Sequence, residues 1–170
     1  MKAKILLIFI LLLFSACTLK PHREVKIVWP NNIQYIEALC ELDLVWKDSR
    51  YSGSMSLILE YPDKLLIDVF GPFGDTVFHM QKDVDKFIMT SREGSFYDEG
   101  QFEDDFGIKM SEFINDLTNR NNTAMNNKNS ENAKTYKIRY NLDDEQNNIC
   151  WEMKYGNMCI TFLEAKFSKQ

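Results

Sequence analysis

Alternation of apolar and polar residues dominates this chain from residue 42 onward. Leu42, Leu44 and Trp46 alternate with charged or polar neighbours, and residues 55–61 and 149–155 repeat the pattern. A period of two is typical of a strand that buries one face and leaves the other in water. We expect about eight or nine such strands, paired antiparallel because the segments between them are short.

Two segments show a helical period instead. The first is residues 30–40, where Pro30 suits a first helical turn. The second is residues 110–117, where apolar residues recur at i, i+3, i+4 and i+7. The residues that carry these spacings are Ile33, Ile36 and Cys40 in the first segment, and Met110, Phe113, Ile114 and Leu117 in the second. We expect the acidic residues 97–106 and the asparagine-rich residues 119–132 to form solvated loops.

The segment Tyr61–Gln81 is predicted to organise the fold. It contains two apolar runs joined by Gly71, Pro72, Phe73 and Gly74, which are strong turn residues apart from the phenylalanine. A turn in water usually carries polar side chains. Phe73 is therefore expected to contact the protein core, a partner or a membrane.

The N-terminus predicts export and lipidation. A short basic stretch precedes the apolar run Ile5–Phe14, which is too short for a membrane span and fits a signal peptide over residues 1–16. Ser15 and Ala16 precede Cys17, and a small residue before this cysteine is typical of the bacterial lipoprotein cleavage site. An ordinary secretory signal is the alternative. Residues 17–29 are predicted to be the lipidated cysteine with its tether.

Localisation follows from the next residue. Thr18 stands where an aspartate would retain lipoproteins at the inner membrane of enteric bacteria. We therefore expect a lipid-anchored, periplasm-facing protein of the outer membrane, with one domain over residues 30–170. The periplasm permits disulfides. Cys150 and Cys159 flank a predicted turn at Gly156 and are the candidate pair, which leaves Cys40 as a buried free thiol.

Motifs for catalysis are missing from the sequence. It contains two histidines, neither at metal-ligand spacing, and no P-loop, nucleophile elbow or H-E-x-x-H motif. The formal net charge of −5 disfavours nucleic-acid binding. We expect no enzyme, no catalytic residue, no metal site and no cofactor beyond the covalent lipid on Cys17.

The apolar face of such a sheet must be covered. We therefore expect a mainly β (α+β) fold. In this fold the sheet forms an unclosed and strongly curved antiparallel β-barrel, and the 110–117 helix is its lid or plug. The concave face then holds either a filled core or an apolar cavity. The strand pattern by itself favours the filled core, because small barrels are usually packed with side chains.

Two motifs carry a family resemblance. Residues 52–57, SGSMSL, look like a strand of the form glycine–x–apolar–x–apolar, and residues 64–74, KLLIDVFGPFG, look like an aliphatic strand followed by a proline–apolar–glycine loop. In this context the chain resembles the LolB-like outer-membrane lipoproteins of the lipoprotein-localisation (LolA/LolB) fold. The resemblance implies a half-barrel with a helical lid and a cavity for acyl chains. The expected lining residues are Leu57, Leu59, Ile67, Trp151, Phe113 and Leu117.

The resemblance also implies a function. LolB-like proteins accept acylated lipoproteins from a periplasmic LolA-like carrier and insert them into the outer membrane. Phe73 occupies the position of the membrane-touching tip. The expected partners are membrane lipid, acylated lipoproteins and such a carrier, and we expect a monomer. The alternative is a structural or accessory lipoprotein subunit of an envelope transport or assembly complex, without transfer activity.

Overall fold

A computed structural model describes residues 27–92, 94–120, 135–142 and 146–168. The predicted signal peptide, the lipidation site Cys17 and tether residues 18–26 lie outside the described residues. The same holds for residues 121–132 of the predicted asparagine-rich loop.

The described residues form nine strands and two helices. The strands are β1 (Tyr35–Trp46), β2 (Ser49–Glu60), β3 (Lys64–Phe70), β4 (Thr76–Asp83), β5 (Lys86–Ser91), β6 (Gly94–Phe96), β7 (Lys137–Asn141), β8 (Asn148–Met153) and β9 (Gly156–Lys166). The helices are α1 (Glu99–Phe106) and α2 (Met110–Leu117). The predicted period-two strands and the helix over residues 110–117 are confirmed.

All nine strands belong to one antiparallel sheet in the order β6-β5-β4-β3-β2-β1-β9-β8-β7. The edge strands β6 and β7 are not paired with each other, so the sheet is open. Strand β9 pairs with β1 on one side and β8 on the other, and thereby joins the N-terminal strands to the C-terminal hairpin. The fold is mainly β.

The strand register defines two ends of the sheet. The connections β1–β2, β3–β4, β5–β6 and β8–β9 lie at one end, called here the Phe73 end. The connections β2–β3 and β4–β5 lie at the opposite end, called here the Ile33 end. Ile33 precedes β1 there, and its backbone N–H donates to the Thr118 carbonyl just after α2.

Both helices pack on the apolar face, and the sheet curls around them. Phe87 of β5 contacts Phe102 of α1 at 6.3 Å between ring centroids, Phe102 contacts Phe113 of α2 at 5.8 Å, and Phe113 contacts Trp151 of β8 at 5.2 Å. In a flat sheet, β5 and β8 would be six strand spacings apart, about 29 Å. Three ring contacts bridge them only because the sheet is curved.

The predicted helix over residues 30–40 is wrong. Residues 35–40 are the first half of β1, and residues 27–34 contain no helix. Ile36, Ala38 and Cys40 are buried and alternate with exposed residues, so the period of two already begins there. The apparent helical spacing arose because Ile33, outside the strand, is also buried.

The predicted solvated loop over residues 97–106 is also wrong from residue 99 onward. Asp98 caps the N-terminus of α1 by accepting from the Gly100 backbone N–H at 2.8 Å, and Gly107 ends the helix with φ of 69°. Phe102 is buried, and Phe106 lies one turn later against it, with ring centroids 4.9 Å apart. The acidic residues around these aromatic rings concealed a short amphipathic helix.

Candidate functional site

The six side chains predicted to line an acyl cavity share one apolar cluster between the sheet and the helices. They are between 0 and 3% exposed, and are Leu57, Leu59, Ile67, Phe113, Leu117 and Trp151. In this conformation they contact protein atoms on nearly all sides.

A buried carboxylate lies inside this apolar cluster. Asp116, in the last turn of α2, is fully buried. It accepts hydrogen bonds from the Tyr136 hydroxyl at 2.7 Å, the Tyr140 hydroxyl at 3.0 Å and the Trp151 indole N–H at 2.9 Å. Burying a carboxylate is costly unless hydrogen bonds replace its lost hydration. Three donors from one region of the sheet meet that requirement and fix α2 to β7 and β8.

The sequence did not predict this cluster. Asp116 lies beside the apolar stripe of α2, where a carboxylate normally faces water. Its donors are 20 to 35 residues further along the chain. Tyr136, Tyr140 and Trp151 all occupy apolar positions of alternating strands, so the sequence does indicate that their side chains are buried. Their hydroxyl and indole N–H groups then need a buried hydrogen-bond partner.

The cluster affects its tyrosines electrostatically. Burial, and then the adjacent Asp116 carboxylate, raise the pKa of Tyr136 well above its usual range. Burial and the same carboxylate raise the pKa of Tyr140. Both phenols therefore remain protonated donors to Asp116 in the folded protein at any pH near neutrality.

Alkaline conditions should therefore destabilise the fold. Because the folded pKa values exceed the unfolded value of about 10, this stabilisation is complete below pH 10 and is lost as the pH rises further. Each phenol should lower the free energy of unfolding by up to about 1.4 kcal/mol per pH unit. Urea denaturation between pH 8 and 11 measures this slope. The double variant Tyr136→Phe with Tyr140→Phe should show a shallower slope, and an equal slope would contradict the assignment.

The second feature is the loop between β3 and β4. Gly71 to Gly74 form a β-turn in which the Gly74 N–H donates to the Gly71 carbonyl at 3.0 Å. Pro72 occupies the second position, which its fixed φ favours, and Gly74 has φ of 80°. Phe73 is 96% exposed at the tip. Contacts within the protein therefore do not explain why an apolar side chain occupies this position.

The loop is held at its base. The Gly71 N–H donates to the Asp75 carbonyl at 2.8 Å, and the Asp75 carboxylate forms an ion pair with Arg92 at 2.6 Å. A Cβ atom on Gly71 would come within 2.8 Å of the Asp75 carboxylate and 3.0 Å of Val77. A side chain at position 71 would therefore displace the Asp75 carboxylate from its place at the base of the loop. These contacts hold the Phe73 side chain away from the sheet.

Neighbouring turns at the Phe73 end also carry aromatic rings with cations. The Lys47 ammonium lies 3.8 Å from the centroid of the Trp46 ring, and that of Lys154 lies 4.7 Å from the Tyr155 ring. Tyr155 is exposed. Aromatic rings beside lysines are common where proteins contact the headgroup region of a membrane.

The cysteines are arranged across two strands. Cys150 and Cys159 are directly paired partners of β8 and β9, their Cα atoms are 4.1 Å apart, and a disulfide joins them. Cys40 is buried and free, and burial raises the pKa of its thiol well above the usual range. The disulfide crosslinks the hairpin that supplies Trp151 to the Asp116 cluster.

Over the four described ranges, no group of three or more histidine, cysteine, aspartate or glutamate side chains is placed to hold a metal ion. No helix in that part of the chain is long and apolar enough to cross a membrane.

No protein-family model matches the chain, and neither does any curated protein.

Proposed function

We propose that the chain is a membrane-anchored lipid- or lipoprotein-binding factor of the LolB-like type. It accepts acylated cargo in an apolar interior and helps to insert that cargo into the outer membrane. One observation carries the proposal: Phe73 is 96% exposed at the tip of a loop whose base is fixed by hydrogen bonds and an ion pair. An exposed aromatic side chain gains about 1.5–3 kcal/mol on leaving water, which a lipid surface provides.

The fold supports the same proposal. In this proposal, the open curved sheet acts as a strongly curved, unclosed barrel, and α1 and α2 together form its lid. The lid covers the apolar face by contacts to β5 on one side and β8 on the other. Acyl binding then requires that the lid move, because the predicted lining residues of the sheet and those of α2 are all at most 3% exposed. The acyl chain would replace the contacts that the lid makes with the sheet.

Anchoring is part of the proposal. Residues 1–16 would be removed, Cys17 would carry the lipid, and the domain would face the periplasm as a monomer. A periplasmic LolA-like carrier would deliver acylated lipoproteins to it. Multiple acyl chains on one cysteine anchor a protein stably, whereas a single chain binds only weakly. No enzymatic step, cofactor or nucleic acid enters this function.

A second function is favoured by a different observation. The closed interior, with all six predicted lining residues at most 3% exposed, suits an accessory lipoprotein subunit of an envelope transport or assembly complex. Such a subunit needs a rigid scaffold and no ligand. The exposed Phe73 would then contact a protein partner.

Acyl binding distinguishes the two functions. A fluorescent fatty acid of about 16 carbons titrated into the purified chain should bind with saturation, and unlabelled palmitate should compete with it. Native mass spectrometry of the chain, released gently from detergent, should show co-purified acyl lipid in excess of the covalent modification. Absence of both signals would favour the accessory subunit and refute lipid transfer.

A further inference from the structure

The open sheet has two edges that differ in length. At one edge β6 has three residues, Gly94–Phe96, whereas at the other edge β7 has five, Lys137–Asn141. A very short edge strand is one means by which proteins avoid pairing with other chains. Strand β7 is long enough to pair, and no strand lies beyond it within the described ranges. The β7 edge is therefore the better template for a further strand.

The register of the C-terminal hairpin decides which backbone groups of β7 face its neighbour β8. Along an antiparallel strand, residues that hydrogen-bond one neighbour alternate with residues that hydrogen-bond the other. The Phe162 N–H donates to the Asn147 carbonyl at 2.9 Å, so Asn147 bonds β9, and Cys150, three residues later, bonds β7. The Cα separation of 4.1 Å between Cys150 and Cys159 agrees, because pairs without mutual hydrogen bonds are the closer ones. Arg139, which pairs with Cys150, therefore directs its backbone N–H and C=O towards β8.

The two residues that flank Arg139 direct their backbone groups the other way. The N–H and C=O groups of Ile138 and Tyr140 point away from β8, which offers two donors and two acceptors to a further strand. On the face away from the helices, the Lys137 side chain is 80% exposed and Arg139 is also exposed. On the opposite face, Ile138 and Tyr140 are half-buried against the core. A strand added here would lie beside two cations on one face and two apolar side chains on the other.

The β7 edge is firmly held by the rest of the fold. A disulfide crosslinks Cys150 of β8 to Cys159 of β9, and the Tyr140 hydroxyl donates to the buried Asp116 at 3.0 Å. A binding surface that is already fixed in its bound conformation loses little conformational entropy when a partner binds. The edge is therefore preorganised for strand addition.

We propose that the β7 edge binds an extended segment of another protein as a further strand of the sheet, and that this segment carries acidic residues at alternate positions. Its acidic side chains lie beside Lys137 and Arg139, where opposite charges on neighbouring strands attract. Its intervening apolar side chains lie beside Ile138 and Tyr140, and its backbone supplies the hydrogen bonds. This interaction does not depend on acyl binding and is compatible with either function proposed above.

The charges of β7 disfavour a second copy of the chain as the partner. A symmetric antiparallel pairing centred on Arg139 places this residue beside its own copy. A pairing centred on Ile138 places Arg139 beside Lys137 of the other copy. Like charges directly opposite each other on neighbouring strands are destabilising. The same two cations that oppose self-pairing attract an acidic strand.

Fluorescence anisotropy of a labelled peptide tests the proposal on the full chain in nanodiscs of zwitterionic phospholipid. The acidic probe is acetyl-SEVEVES-amide, in which glutamates and valines alternate. It should bind with saturation, and more weakly at high salt because salt screens exposed charges. The basic peptide acetyl-SKVKVKS-amide has the same strand pattern and should bind at least about 10-fold more weakly, because its lysines face two cations. Equal binding of the two peptides would overturn the proposed partner chemistry.

Two double variants with the same change in charge separate the β7 edge from the charge of the whole protein. Lys137→Glu with Arg139→Glu reverses both cations beside the edge and should make the basic peptide the tighter ligand. Lys64→Glu with Lys86→Glu reverses two exposed lysines on β3 and β5 and should leave both affinities unchanged. An equal loss of acidic-peptide binding in both double variants would show a general charge effect and overturn the site.

Ile138→Pro tests the backbone hydrogen bonds. It removes one outward N–H and should leave the pairing with β8 intact, because proline is tolerated where its nitrogen faces away from the sheet. It should weaken binding of the acidic peptide by about 2- to 12-fold, the range for one neutral hydrogen bond. Ile138→Ala, which keeps the N–H, is the control for the lost side chain. If the proline variant folds poorly, acidic peptide N-methylated at its valines should lose binding, and peptide N-methylated at its glutamates should retain it.

Hydrogen exchange of individual backbone amides shows where the acidic peptide binds. In the chain without peptide, the Ile138 and Tyr140 amides should exchange faster than the Arg139 amide, whose N–H bonds β8. Saturating acidic peptide should slow Ile138 and Tyr140 by about 2- to 12-fold and leave Arg139 unchanged. Slow exchange of Ile138 and Tyr140 without peptide would show that the edge is already paired and overturn the proposal. If the chain then also sediments as a dimer, the edge belongs to a second copy.

Discussion

Phe73→Glu should abolish delivery of acylated cargo to membranes while leaving the domain folded. Phe73 makes few contacts that the substitution could remove, since it is 96% exposed. A charged side chain cannot gain the 1.5–3 kcal/mol that a phenylalanine gains in lipid, so membrane contact through this loop should weaken at least about 10-fold. The assay is transfer of a lipidated substrate protein from a soluble carrier to liposomes. Thermal denaturation of the same variant measures stability.

Three variants control this experiment. Tyr97→Glu places the same charge at another exposed aromatic position, 71% exposed and outside the β3–β4 loop, and should transfer normally. Phe73→Leu keeps an apolar tip and should retain most of the activity. Cys17→Ser should remove the predicted anchor without changing the loop. Normal transfer by Phe73→Glu would refute the membrane-contact role, and a large fall in its melting temperature would show that Phe73 stabilises the fold.

Trp151→Ala should be among the most destabilising single changes in the described residues. Trp151 is fully buried, packs against Phe113 with the two rings tilted by 49°, and donates to Asp116 at 2.9 Å. Truncating a buried tryptophan costs about 3–5 kcal/mol, which for a domain of this size lowers the melting temperature by roughly 6–20 °C. The expected loss exceeds the cavity cost alone, because Asp116 then lacks one of its donors.

A second substitution separates the two contributions. Trp151→Phe keeps an aromatic ring near Phe113 but removes the indole N–H, and should cost about 1.5–3 kcal/mol for the lost bond to a charged group. Denaturant unfolding of both variants, with Tyr155→Ala as an exposed control, gives the free energies. A loss below about 1 kcal/mol for Trp151→Ala would contradict the packing around Asp116.

The local pattern of apolar and polar residues was sufficient to predict most of the strands and the helix α2. The alternation in β2, β3 and β8 follows from which face of a strand is buried, and the spacing in α2 follows from one apolar stripe. Each signal lies within a dozen consecutive residues. The β3–β4 loop was predictable for the same reason, because its glycines and proline specify a tight turn.

The errors arose where two local signals competed. Residues 33–40 contain both a helical spacing and an alternation, and pairing of β1 with β2 and β9 decided in favour of the strand. In α1, the capping residues Asp98 and Gly107 were readable, but the acidic composition between them favoured a loop. Composition is a weaker signal than caps combined with an i, i+4 aromatic pair.

The polar centre of the site could not be predicted because it depends on contacts across the chain. Asp116 meets Trp151 from 35 residues away, and only the sheet order brings β8 against α2. Whether the apolar face is filled or open likewise depends on where the helices pack. The sequence specifies apolar residues on that face without specifying what covers them.

The position of β9 also constrains when the chain can fold. Glu37 pairs with Lys166, and Trp46 pairs with Gly156, so the centre of the sheet is completed only after the C-terminal strand has been synthesised. Contacts between residues so distant in sequence slow folding. The delay would suit the export predicted from residues 1–16, because translocation requires an unfolded chain. A frameshift or stop codon after residue 155 would remove the strand that links the two parts of the sheet, and would leave a chain with unpaired strand edges that is prone to aggregation and proteolysis.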